Sequence, residues 1–248
     1  LGNIREDLTL FELCSPYSIT GSGISIKEGY TVILEKGAVL NVGEDAQMRI
    51  QGTLIVKEGA VINMSDNSYI SVEDNGKLQM EGTSSNRITV TGESWEKNTG
   101  TSSGPGIELN SSVKSSLKYV DFINSNVDRP WDNWIIISRD GSSLDNISMN
   151  GGSNGIILEN NSSLTNSKIS NLERTALHVH SSTVEGNQIF DVAQNITNNA
   201  YVHLYSNAIL RSNRIYSTTD VETNFALYLD GSNVLVEKNT VGGATGLH

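Results

Sequence analysis

From residue 106 onward, short apolar runs return along the chain: Gly-Ile-Glu-Leu at 106–109, Trp-Ile-Ile-Ile at 134–137, Gly-Ile-Ile-Leu at 155–158, Ala-Leu-His-Val at 176–179, Tyr-Val-His-Leu at 201–204 and Ala-Leu-Tyr-Leu at 226–229. Gly246-Leu247-His248 begins the run again. The second residues of these runs, Ile107, Ile135, Ile156, Leu177, Val202, Leu227 and Leu247, lie 20 to 28 residues apart. A second apolar position follows in each repeat (Leu117, Leu144, Leu164, Val184, Ile209, Val234), and then a third (Val120, Ile147, Ile169, Ile189, Ile215, Val241). Each segment is too short for a helix and alternates apolar with polar, as a half-buried strand does. Gly, Asn and Ser fill the corners, where positive φ is tolerated. Such a period, with strand-like units inside it, predicts a solenoid whose coils bury their apolar faces only by stacking.

Three short strands per turn predict an all-β fold, a single parallel β-helix of about nine to ten coils with a roughly triangular section. Asn187, Asn213 and Asn239 fall two residues before the third apolar position, 26 residues apart each time. They are expected to form a ladder that hydrogen-bonds the turn backbone from coil to coil. The register already runs from Ile19. Glu35-Lys36-Gly37-Ala38-Val39-Leu40-Asn41-Val42 returns as Lys57-Glu58-Gly59-Ala60-Val61-Ile62-Asn63-Met64, and Gln51-Gly52-Thr53-Leu54-Ile55-Val56 as Asn75-Gly76-Lys77-Leu78-Gln79-Met80. Residues 1–18 do not fit this register and are expected to cap the open end through Ile4, Leu8, Leu10, Phe11 and Leu13, leaving 19–248 as the β-helix. The coil begun at Gly246 is unfinished, which predicts a continuing chain or a partner at that end.

Composition agrees with a narrow core. Apolar residues make up 37% of the chain, aromatics 6%, and there are only 3 prolines, which suits ladders that proline cannot join. A formal net charge of −11 argues against nucleic acid and anionic membranes as partners, and it disfavours a polyanionic substrate unless calcium bridges the two. One cysteine, Cys14, excludes an intrachain disulfide and a metal–thiolate cluster; among Leu10, Phe11 and Leu13 it is expected to be buried. No apolar run is long enough to span a membrane. Six Asn-x-Ser/Thr sequons occur, a number that a chain this rich in Asn and Ser reaches by chance.

The succession of G-x-x-L-x-V, E-K-G-A-V-L-N-V, E-G-T-x-x-N-x-I-T-V-T and G-I-x-L resembles the right-handed parallel β-helix repeats of the pectin-lyase-like superfamily, over residues 19–248. The resemblance implies the fold strongly and the function weakly, because that superfamily holds lyases, hydrolases, epimerases, tailspikes and non-catalytic surface proteins. The unfinished coil at Gly246 favours a module of a larger extracellular or cell-surface protein. The superfamily's lyases carry an Arg-x-Pro-x-x-Arg element, whereas Arg129-Pro130-Trp131-Asp132 lacks the second arginine. Its hydrolases need paired aspartates and a Gly-His-Gly segment, and neither is present. Glu96, Asp128, Asp132 and Arg129 remain the weak catalytic candidates.

Two features carry the binding reading. Residues 93–106 and 126–133 are polar excursions bearing Trp95 and Trp131; these rings either flank one groove or fold back on the solenoid wall. The outward residues of the first strand read Glu108, Ile136, Ile157, His178, His203, Tyr228 and His248, and two places on Asn110, Ser138, Glu159, His180, Tyr205 and Asp230. All four histidines thus share a face. Cross-strand stacking, a sugar-contacting surface, and metal binding or catalysis are the three readings of that file. No metal site and no cofactor are assigned, with calcium as the alternative. The function expected is a non-catalytic extracellular module that binds a polysaccharide or glycan through Trp95, Trp131, His178, His180, His203, Tyr205 and Tyr228. The alternatives are a polysaccharide lyase or glycoside hydrolase, and a rigid adhesin stalk that binds another protein.

Overall fold

A computed structural model describes residues 1–92, 106–124, 134–192, 200–218 and 225–242. The chain winds into a parallel β-solenoid in which every third strand joins the same sheet, giving three sheets of 10 strands each among the described residues. Sheet A holds Gly2–Ile4, Gly23–Ile26, Gln47–Ile50, Tyr69–Asp74, Ile107–Ser111, Trp134–Ser138, Asn154–Leu158, Leu177–Val179, Ala200–Tyr205 and Phe225–Asp230. Sheet B holds Leu8–Leu10, Thr31–Leu34, Thr53–Lys57, Lys77–Glu81, Ser116–Lys118, Ser143–Asp145, Ser163–Thr165, Thr183–Glu185, Ile209–Arg211 and Leu235–Glu237. Sheet C holds Tyr17–Ile19, Val39–Val42, Val61–Met64, Ile88–Gly92, Val120–Asn124, Ser148–Asn150, Lys168–Ser170, Gln188–Phe190, Arg214–Tyr216 and Thr240–Gly242.

Stacking follows from the alternation. In Val39–Val42, Val61–Met64 and Gln47–Ile50 every second residue is buried, because successive side chains of a strand point to opposite faces. Ile156 pairs with Leu177, Leu177 with Val202 and Val202 with Leu227, so these four lie directly over one another in the dry column at the solenoid's centre. Coil-to-coil pairing also fixes which corners must be glycine. A Cβ on Gly76 would lie 2.0 Å from the Ile50 carbonyl oxygen, and one on Gly52 would lie 2.3 Å from that of Tyr30; here close backbone approach, not φ, selects the residue.

The asparagine ladder is present as expected at the corner between sheets B and C. The Asn187 backbone N–H donates to Asn213 Oδ1 at 2.9 Å, and the Asn213 N–H to Asn239 Oδ1 at 2.8 Å. Each amide nitrogen donates in turn to a carbonyl of the coil before: Asn187 to Leu164, Asn213 to Val184 and Asn239 to Leu210. One side chain type at one place per coil thus satisfies both a donor and an acceptor that the corner takes out of the sheets.

Four expectations are corrected. Residues 1–18 are not wholly outside the register: Gly2–Ile4, Leu8–Leu10 and Tyr17–Ile19 pair with the next coil in all three sheets, with the one-turn 3₁₀ helix Glu12–Cys14 between the second and third of them. Cys14 is exposed, not buried, because that turn lifts it away with Leu13, which is 97% exposed. In sheet A it is Ile136, not Ile135, that pairs with Ile107 and Ile156. The residues 134–137 are all apolar, so no alternation fixes their phase, and a slip of one residue exchanges inside for outside. In the other sheets the stacked rungs are Leu210 and Val236 rather than Ile209 and Val234, and Phe122 and Met149 rather than Val120 and Ile147.

Candidate functional site

The site lies on the outer face of sheet A, toward its later coils. Pairing sets His178 beside Ile157, His203 beside His178 and Tyr228 beside His203. The corrected register makes the outward file Glu108, Ile137, Ile157, His178, His203 and Tyr228. The second file, two residues on, contains Arg139 in place of Ser138, followed by Glu159, His180, Tyr205 and Asp230. Ser138 itself is buried and hydrogen-bonds Ser162.

Because strands of a sheet lie about 4.8 Å apart, equivalent rings fall into contact without any further device. The His178 and His203 ring centroids are 4.6 Å apart and those of His203 and Tyr228 5.2 Å; Trp134, two strands before His178 and outside that file, reaches across to it with centroids 4.5 Å apart. Tyr205 meets the edge of His178 at 5.5 Å. Trp134 is 8% exposed and closes one end of this file. Sequence reasoning passed it over as part of an apolar strand.

Packing among rings strips water from the imidazoles. Burial, with the neighbouring His203 adding to it, pushes the His178 pKa down to about 3, and burial also lowers that of His203. Both are neutral at physiological pH, since a buried imidazolium would have to give up its hydration. Burial raises the Tyr205 hydroxyl, and the Asp230 carboxylate raises it further, so it stays a phenol. Beside these rings opens a shallow pocket of about 400 Å³ lined by Ile157, Glu159, His178, His180, Tyr205, Ser206 and Asp230. Its charge is carboxylate. Glu159 is shared with Arg139, whose guanidinium bridges Glu159 at 3.1 Å and Glu108 at 2.8 Å. Arg139 was missed as a site residue for the same reason that Ile136 was misplaced: both follow from the phase of the strand before it.

Of the binding residues expected from sequence, the fold brings His178, His180, His203, Tyr205 and Tyr228 onto this one face. Trp95, Trp131, Glu96, Asp128, Arg129 and Asp132 lie outside the described residues, as does His248. Asp121 is held by Arg87 at 2.6 Å, away from the pocket on sheet C. Among the described residues, no group of three or more His, Cys, Asp or Glu side chains is placed to hold a metal ion. Stacking explains this geometry, because residues of one file project in parallel whereas metal ligands converge. Among the described residues no helix is long and apolar enough to cross a membrane.

No protein-family model matches the chain, and no curated protein matches it. Among solved structures it is similar to the A-module of the Azotobacter vinelandii mannuronan C-5 epimerase AlgE6, at 12% identity and a TM-score of 0.34, over 92% of this chain and 87% of that one. The fold assignment therefore rests on the strand pairing of this chain itself, and the likeness carries no argument about the site.

Proposed function

We propose that this chain is a non-catalytic glycan-binding module and that its binding surface is the outer face of sheet A from Trp134 to Asp230. The observation that carries this reading is the file of stacked rings His178, His203 and Tyr228, with Trp134 packed on His178, beside a pocket edged by Glu159, His180, Tyr205 and Asp230. Uncharged rings offer the C–H faces of a sugar an apolar surface that costs little to desolvate. The carboxylates and the His180 imidazole offer acceptors to its hydroxyls, and hydrogen bonds to charged groups are the stronger ones. A rung spacing of about 4.8 Å is close to one pyranose ring of an extended chain, so successive coils meet successive sugars. With no Lys or Arg among the pocket's lining residues, the ligand that fits is a neutral glycan.

The spacing of the carboxylates supports binding over hydrolysis. Glu159 and Asp230 occupy the same file with His180 and Tyr205 between them. Three rungs separate them, roughly 14 Å. Acid and nucleophile pairs of glycosidases lie about 5 to 10 Å apart.

The test is titration of neutral oligosaccharides of graded length, read calorimetrically and on a glycan array. Binding that grows with length up to about four sugars, and that weakens at least tenfold in Tyr205→Ala and in His180→Ala, is the expected result. New reducing or unsaturated ends after incubation would replace this reading with catalysis. Silence across all neutral glycans would replace it with the rigid stalk.

A further inference from the structure

Sheet C differs from the rest of this acidic molecule. Its ten strands carry one carboxylate, Asp121, and Arg87 occupies that carboxylate at 2.6 Å. They also carry two cations, Lys168 and Arg214, which occur in the same outward file with Gln188 between them. Both are exposed, and among the described residues neither has a carboxylate within ion-pair distance. Several other basic side chains on the wall are neutralised by acids of adjacent coils: Lys36 by Glu58, Arg49 by Glu73, Lys57 by Glu81, and Arg139 by Glu108 and Glu159.

What Lys168 and Arg214 have instead is aromatic. Phe190 and Tyr216, paired on adjacent coils, stack with ring centroids 5.0 Å apart and planes 9° from parallel. The Lys168 ammonium lies over Phe190 at 5.1 Å, and the Arg214 guanidinium lies over Tyr216 at 4.7 Å. The rings hold each cation in place on the surface without cancelling its charge, so the ordering cost of binding an anion is largely met in advance. Asp191, the acid next in sequence to Phe190, is 9% exposed and is committed to the Thr218 backbone N–H and hydroxyl.

We propose that this patch, Lys168, Phe190, Arg214 and Tyr216, is a second binding site and that its occupant is a linear anionic polysaccharide. The site is independent of the sheet A reading and stands if that one falls. Charge complementarity gives the sign of the ligand, and spacing gives its class. Two rungs separate the strand positions that bear the cations, roughly 10 Å along the solenoid axis, which matches the same-side repeat of a two-fold sugar chain with one anionic group on each ring. An extended peptide repeats on one side every two residues, about 6.7 Å, and does not keep step with the coils. Nucleic acid brings a charge density that the net charge of −11 opposes beyond the patch. Neutral polysaccharide leaves both cations unanswered.

The experiment is affinity electrophoresis and calorimetric titration of the 248-residue chain with polygalacturonate and with carboxymethylcellulose. Unmodified dextran and poly-glutamate of matched length serve as comparisons. Binding of either anionic polysaccharide, falling with added salt, is expected. In the double variant Lys168→Gln/Arg214→Gln the affinity should drop at least tenfold and the salt dependence should flatten. Both side chains are exposed, so the fold survives the change, and an unaltered circular-dichroism melt checks it. His180→Ala, on the other face, should leave this binding unchanged, which separates failure here from failure of the sheet A site. Absence of binding by both anionic polysaccharides, undiminished binding in the double variant, or equally tight binding of poly-glutamate would each overturn the proposal.

Discussion

Sheets A and C are built from the same rung, at the same spacing, yet they present opposite chemistry to solvent. On sheet A the stacked rings are imidazoles and phenols, with burial lowering the pKa of His178 and raising that of Tyr205, and the charges beside the pocket are carboxylates, Glu159 and Asp230. On sheet C the stacked rings are Phe190 and Tyr216, and the unneutralised charges are ammonium and guanidinium. A solenoid allows this because each file of outward side chains is independent of the core behind it. The core sets position and pitch; the file sets charge. Net charge is therefore a poor guide to what any one face will bind, and the −11 of the whole chain conceals a face with the other sign.

The corner between sheets B and C is the point at which both faces are most easily broken together. Asn213→Ala removes the acceptor for the Asn187 N–H and the donor to the Val184 carbonyl, and it leaves both buried. Each orphaned group costs about 1–3 kcal/mol. A loss of about 2–4 kcal/mol is expected in chemical denaturation, with ligand binding lost on both sheets at the denaturant concentration that unfolds the variant. A smaller loss would mean that water replaces the amide.

Acid should distinguish the faces. The folded-state pKa of His178 is depressed to about 3 from an ordinary 6.5, so between those values the unfolded chain takes up a proton that the folded chain refuses. The stability carried by the neutral imidazole is complete above about pH 6.5 and is lost as pH falls toward 3. The urea midpoint should fall over that window, and His178→Phe should remove up to one proton's worth of the slope. Lowered carboxylate pKa values at Glu81 and Asp145 add their own loss at the acid end, so the difference between wild type and variant is the quantity to measure. A slope unchanged by the substitution would mean that His178 is hydrated.

Two smaller changes sharpen the contrast. Arg139→Gln leaves Glu108 and Glu159 on the same side without their shared cation. The groups are partly exposed, so a loss of about 1 kcal/mol or less is expected, shrinking further in high salt; thermal melts at two ionic strengths read it. Phe190→Leu removes one ring of the sheet C stack at a cost of at most about 1 kcal/mol. It should also free Lys168 from its perch and leave neutral-glycan binding on sheet A untouched.

The solenoid itself was legible in the chain, because its signal is repetition. The recurrence of Asn187, Asn213 and Asn239, and of Ile156, Leu177, Val202 and Leu227, needs no distance measurement to be read. The histidine file was legible too, once the period was known. What failed did so where the pattern ran out. Through 134–137 every residue is apolar, and the phase chosen there put Ile136 outside and Ser138 in the place of Arg139. At Glu12–Cys14 a single 3₁₀ turn sent Cys14 outward, although Leu10, Phe11 and Leu13 precede it in sequence. Local composition cannot report a phase or a direction that only pairing with the next coil imposes.

By itself the sequence determined that the chain must stack: alternation two residues long, repeated at every coil, has no other way to remove its apolar half from water. Tertiary structure alone decided which side chains share a file and which charges remain. Phe190 meets Tyr216, and Lys168 lines up with Arg214, across 26 and 46 residues of chain. Those encounters are set by the number of residues in each intervening coil, a quantity that varies from turn to turn and is resolved only when the backbone hydrogen bonds between coils are made.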